Sequence, residues 1–262
     1  MLKLLQIILP ISFCVSCNNV SKENEISISK IETKPPTKIC EIPLPKGFER
    51  NKQDSTSFAF YLQHINLKKD NTVYYYDGSK KINQTLHYAV MDIPVGNKDL
   101  QQCADAIMRL RAKYFLERKE YNKIEFKSTN RIYNFQEFLN HTEVTSYEKG
   151  FDVFMENVFA NCGTYNLSNM LHTKQDFNDL AIGDVFVKGG SPGHAMIVVD
   201  VAYNKQTQEK IFLLAEGFMP AQSVHIVTNP YNEKFSPWYK ANLNLTLITP
   251  GYTFASTNLK EW

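Results

Sequence analysis

Apolar and polar residues alternate along the chain in two distinct rhythms. Between Asp99 and about Glu117, Leu100, Cys103, Ile107, Leu110 and Tyr114 recur at three- and four-residue spacing, which lines one face of a long helix. Asp99 is its expected N-cap, because Gly96-Asn97 breaks the chain just before it. Shorter helices are predicted at 57–66, 134–140, 151–159 and 167–172. From Gly183 onward the rhythm changes to short runs rich in Val, Ile, Leu and Phe. These predict strands at 184–188, 194–202, 210–216, 224–228 and 243–249. Two earlier strands are predicted at 72–76 and 86–93, with a turn at Asp77-Gly78 after the first. Helices early and mostly antiparallel strands late define an α+β domain.

The N-terminus follows neither rhythm. Lys3 precedes an apolar run from Leu4 to Val15 that is too short to span a bilayer, the pattern of an export signal. It ends in Cys14-Val15-Ser16-Cys17. A small residue before a cysteine resembles the lipobox of bacterial lipoproteins, which implies cleavage and lipidation at Cys17. Cys14 stands where leucine is usual, and an ordinary cleaved signal is the alternative. Either way the expected location is the cell envelope; with the lipid, the protein is membrane-anchored and periplasm-facing. Residues 18–41 are polar, contain Lys-Pro-Pro-Thr at 34–37, and read as a disordered tether. Residues 42–262 suit one globular domain.

Charge narrows the partners. A formal net charge of +2 with both signs scattered leaves no basic stripe for nucleic acid. Of five cysteines, Cys40, Cys103 and Cys162 lie beyond the signal. Their spacing matches no zinc pattern, so no metal is expected, and the chemistry considered below needs no cofactor. A Cys103–Cys162 disulfide is one option for this odd set, and free thiols are the other.

Candidate chemistry centres on Gly183 to Asp200, read as a hairpin whose second strand begins at His194 and runs into a core. Gly193 permits close backbone approach there and Pro192 stiffens the turn. Cys103 falls in the first turn of the long helix, where unpaired N–H groups and the helix dipole favour a thiolate. A histidine beside it would complete a nucleophile–base pair. Packing as a small core residue is the commoner fate of such a cysteine. Cys162, after a predicted helix end, is the rival nucleophile. Glu216 closes the strand expected beside His194 and is the preferred orienter of the imidazole. Asp200 is the alternative, but six residues along a strand put it roughly 20 Å away. Gln222, His225 and Trp238 are possible substrate-binding residues, with Gln222 suited to an oxyanion or amide. His87 resembles His194 locally but lacks its supporting neighbours.

Several stretches together resemble a family of exported Bacteroidota-type lipoproteins, the domain of unknown function 4846. They are Ile42 to Phe48 (IPLPKGF), Asp99 to Tyr114, Gly183 to Val201, Phe212 to Ile226, Ser236 to Tyr239, and Thr249-Pro250. That family implies no established activity. The Gly-Asp strand, the Gly-His strand and the next strand with its polar end are distantly similar to papain-like NlpC/P60 and CHAP amidases. The resemblance implies helices packed on a mostly antiparallel sheet, with Cys103, His194 and Glu216 as the catalytic set. Gln102 and Ala104 flank Cys103 where that group has an Asp-Cys or Cys-Ser/Gly pairing, and the insert before the hairpin is long. The expectation is a cysteine-dependent amidase or peptidase of the envelope, acting on peptidoglycan peptides. The alternative is a non-catalytic lipoprotein that binds cell-wall fragments or a protein partner.

Overall fold

The computed structural model describes residues 34–144, 146–241 and 246–262. The export segment, Cys17 and most of the tether lie outside the described residues. Residues 36–262 form one compact unit, so the globular part begins ahead of the expected boundary at 42. The reason is local: Ile39 and Ile42 are fully buried, and Ile39 N–H donates to Ile65 O at 3.2 Å.

In chain order, α1 (Phe58–Gln63) and β1 (His87–Val90) precede the long helix α2 (Cys103–Glu117). A small hairpin, β2 (Glu125–Lys127) and β3 (Ile132–Asn134), leads to α3 (Phe135–His141), α4 (Tyr147–Asn161) and α5 (Thr164–Met170). After β4 (His172–Thr173) come β5 (Val185–Lys188), β6 (His194–Tyr203), β7 (Lys210–Glu216) and β8 (His225–Val227). The chain ends with β9 (Tyr239–Lys240), β10 (Thr246–Ile248), β11 (Thr253–Ala255) and β12 (Leu259–Glu261). The class is therefore mixed helix and antiparallel sheet, as the two rhythms predict.

The main sheet has the order β1-β8-β7-β6-β5-β12-β4, with β9 also on β7, and its strands pair antiparallel. The middle strands are continuous apolar runs because both faces of the sheet are covered. Val185, Val187, Ala195, Ile197, Ile211 and Leu213 join the core under α1, α2, α4 and α5. Their alternates Phe186, Met196, Val198, Phe212 and Leu214 face a second core built with Tyr239, Leu247, Phe254 and Leu259. A bulge between Val198 and Asp200 shifts the register of β6 against β7.

Two sequence expectations need correction. Thr72–Tyr76 is not a continuous strand; Tyr74 pairs only with Lys80 and Tyr75 only with Gln222. The turn after it is as expected, with Gly78 at φ +83°. Helix α2 begins at Cys103 and its N-cap is Gln102, not Asp99. Asp105, in the first turn, accepts the Gln102 N–H at 3.0 Å and fixes this later start. The Asp99 carboxylate instead accepts from Ala221 N–H at 2.7 Å and from the Gln102 amide at 3.1 Å. It ties the helix mouth to the segment between β7 and β8.

Candidate active site

Three elements converge at the edge where α2 meets β6 and β7. Cys103 is the first residue of α2, half-buried and free. His194 is the first residue of β6 and Glu216 the last of β7, 3 % and 4 % exposed. Their approach requires glycine at two adjoining positions. A Cβ at Gly217 would lie 2.9 Å from Gln102 O and 3.1 Å from Ala106 Cβ, so only glycine lets β7 end against the start of α2. A Cβ at Gly193 would lie 2.4 Å from Gly190 O and 2.5 Å from Thr164 Oγ1, so the hairpin before His194 closes onto α5 only without a side chain.

The side chains form a chain of polar contacts. His194 Nε2 donates to Glu216 Oε2 at 2.7 Å. Cys103 stands close enough to the imidazole to raise its pKa. The opposite oxygen of Glu216 lies 3.4 Å from His225 Nε2, and His225 Nδ1 donates to Ser223 O at 2.8 Å. Glu216 is thus bracketed by two imidazoles. His87 stands edge-on to His225, with ring centroids 5.7 Å apart.

Electrostatics follow from this arrangement. Burial alone would lower the pKa of His194, but its bonds to Cys103 and Glu216 outweigh that and raise it to about 9. Burial would raise Glu216, yet hydrogen bonds and charge from His194 and His225 bring it down to about 2. Both directions describe a buried imidazolium–carboxylate pair. Phe218, Tyr252 and Phe254 wall the imidazole, with ring centroids 5.0, 5.2 and 5.9 Å from it. Among the described residues, no group of three His, Cys, Asp or Glu side chains could hold a metal ion.

The other candidates sort clearly. Cys162 is buried just after α4, where burial and then nearby Asp105 push its thiol up to about 11, an inert setting. Cys103 and Cys162 are both free thiols, so the disulfide option falls. Asp200 is bound by Arg50 at 2.7 Å and by Gln63 at 2.6 Å, and serves the fold. Gln222 is buried beside this region, and its Nε2 has no hydrogen-bond partner among the described residues. Trp238 is no surface wall: it is 1 % exposed, donates to Pro43 O at 2.9 Å, and packs under Arg50. The stretches Ile42–Phe48 and Ser236–Tyr239 are thus partners in packing, as the Phe48–Phe235 edge contact at 6.0 Å also indicates. A cleft of ≈ 580 Å³ opens between α1, α2 and α4, lined by Phe60, Tyr61, His64, Arg109 and Tyr114, and contains none of the three site residues.

Sequence reasoning passed over Gly217, Lys81, Phe218 and Tyr252. Gly217 carried a signal, since it directly follows a strand-end acid. Nothing in the local pattern marks Lys81, whose ammonium stands 5.5 Å from the Phe218 ring centroid.

The fold and site define an α+β protein with a sulfur–imidazole–carboxylate chain at a helix mouth. The model of the family described as domain of unknown function (4846) matches residues 40–261, and the chain belongs to that family. No curated protein and no solved structure matches it.

Proposed function

We propose that the protein is a cysteine-dependent amidase or peptidase of the cell envelope, acting on amide bonds of peptidoglycan peptides. The observation that carries this reading is the His194 imidazole, which donates to Glu216 at 2.7 Å and whose pKa is raised by the nearby Cys103. A thiolate beside an imidazolium, the latter held by a buried carboxylate, is an activated nucleophile with its proton donor in place. Cys103 Sγ attacks the amide carbonyl, and the Nδ1 proton of His194 passes to the leaving amine. A water molecule, deprotonated by the same nitrogen, then releases the acid from the thioester and restores the thiolate. The Cys103 N–H at the start of α2 and the unpartnered Gln222 amide are the donors for the oxyanion. The sheet order and helix-start cysteine support a papain-like architecture of the NlpC/P60 type. The export signal and Ser16-Cys17 support a lipid anchor and a periplasm-facing site.

The test is selective alkylation of Cys103 at pH 6 to 7, followed by peptide mass analysis. Rapid labelling that falls about a hundredfold or more in His194→Ala supports the hydrolase. Equal, slow labelling in both proteins would falsify it and leave a binding module for cell-wall fragments or a partner.

A further inference from the structure

The segment between Val73 and Gln84 brings a cation to the site. Lys81 N–H donates to Val73 O at 3.0 Å, and the Gln84 amide nitrogen donates to Val73 O and Lys81 O at 3.0 and 2.6 Å, fixing this turn. The turn is tied to the neighbourhood of Glu216 by the Tyr75–Gln222 bridge and by Tyr76 N–H to Ala221 O at 2.9 Å. The Lys81 ammonium then stands 5.5 Å from the Phe218 ring centroid, and that ring is 5.0 Å from the His194 ring. Lys81 is only half-exposed and makes no salt bridge among the described residues, while Glu216 is already bracketed by two imidazoles. Burial lowers the Lys81 pKa more than the nearby Glu216 charge raises it. A half-buried ammonium with no carboxylate in contact has an unmet electrostatic demand. The rim beside it is apolar, with Ile82 97 % and Met219 66 % exposed.

We propose that Lys81 is a specificity-determining residue that binds a free carboxylate of the substrate, so that the enzyme selects amides carrying an anionic group near the scissile bond. This rests on the reading of Cys103 as the nucleophile and narrows its substrate class. The Phe218 face and the exposed Ile82 and Met219 side chains would receive the apolar part of such a ligand, leaving the carboxylate to the ammonium. A unit charge met at short range beside partly buried groups changes a rate by about an order of magnitude.

The experiment compares two alkylating probes of nearly equal size, iodoacetate and iodoacetamide, on the full chain. In each case Cys103 Sγ forms the S–CH2 bond and iodide leaves; the probes differ in the anionic carboxylate. The ratio of their rates at Cys103, read from the Cys103 peptide, is expected to fall about tenfold in Lys81→Met and to persist in Lys81→Arg. A ratio equal in wild type and Lys81→Met overturns the carboxylate site. The iodoacetamide rate, which carries no charge effect, reports separately on the nucleophile: if it is insensitive to His194→Ala, the hydrolase reading fails while the ratio still decides Lys81. A Cys103 that reacts with neither probe overturns both.

Discussion

Glu216 is the residue on which the site turns, because a carboxylate buried to this degree is stable as an anion only with cations around it. His194 supplies one on Oε2, and the His225 ring stands 3.4 Å from the opposite oxygen. Folding raises His194 from 6.5 to about 9, so its contribution to stability is complete below pH 6.5 and is lost as pH rises through about 9. Folding lowers Glu216 from 4.5 to about 2, so its contribution is complete above pH 4.5 and is lost as pH falls through about 2. The pair therefore contributes most between those two unfolded values. Replacing Glu216 with Gln keeps a hydrogen-bond acceptor but removes the charge that holds the imidazolium. The alkaline limb of Cys103 alkylation, set by loss of the His194 proton, should then move to lower pH by about a unit or more. A rate–pH profile with an unmoved limb would show that the carboxylate does not control the imidazole. At this scale the sequence exposed much: the helix-start cysteine, the histidine before an apolar run and the acid closing the next strand each stood in a readable position. His225 and Lys81 did not, because their roles are defined by neighbours distant in the chain.

At the scale of elements, the helix mouth and two strand ends approach closely only because glycines stand at the junctions. Gly217 lies against Gln102 O and Ala106, where an added Cβ at 2.9 Å must push β7 away from α2. Gly217→Ala should cost about 1–3 kcal/mol in denaturant unfolding. It should also slow Cys103 alkylation by about tenfold, since a shift of an ångström at the reacting pair is felt strongly. Stability and reactivity both unchanged would mean that the strand end yields freely. Periodicity located α2, β6 and β7 but misjudged the helix start. Asp99 is a good cap by type, yet its carboxylate serves Ala221 across 122 positions of sequence. The predicted strand at 72–76 failed for a related reason, since its residues find partners only singly.

Across the whole molecule, a buried polar cluster pins the N-terminal segment to the sheet. Asp200 is fully buried in β6, with Arg50 and Gln63 as its partners, and Arg50 also donates to Ile42 O at 2.7 Å and lies over Trp238. The same cluster thus fastens the N-terminal segment to the sheet. Arg50→Met should remove about 3 kcal/mol of stability at neutral pH, because Asp200 keeps its burial and loses its cation. The site lies at the other end of β6, so the Cys103 alkylation rate of the folded variant should stay within about twofold of wild type. A neutral effect on unfolding would show that Gln63 and the Val201 N–H satisfy the carboxylate without it.

The sequence by itself determined what depends on neighbours a few residues away. Helical spacing set the long helix, continuous apolar runs set strands covered on both faces, and Asp77-Gly78 set a turn. The tertiary structure decided what depends on long-range closure. It left Cys103 half-buried and buried Cys162, set Glu216 against His194 and Asp200 against Arg50, and buried Trp238 beneath Arg50. It also brought Lys81 and His225 to the site. The physical reason is that burial and charge pairing are properties of the assembled chain, whereas hydrogen-bonded elements are specified by local backbone and side-chain preference.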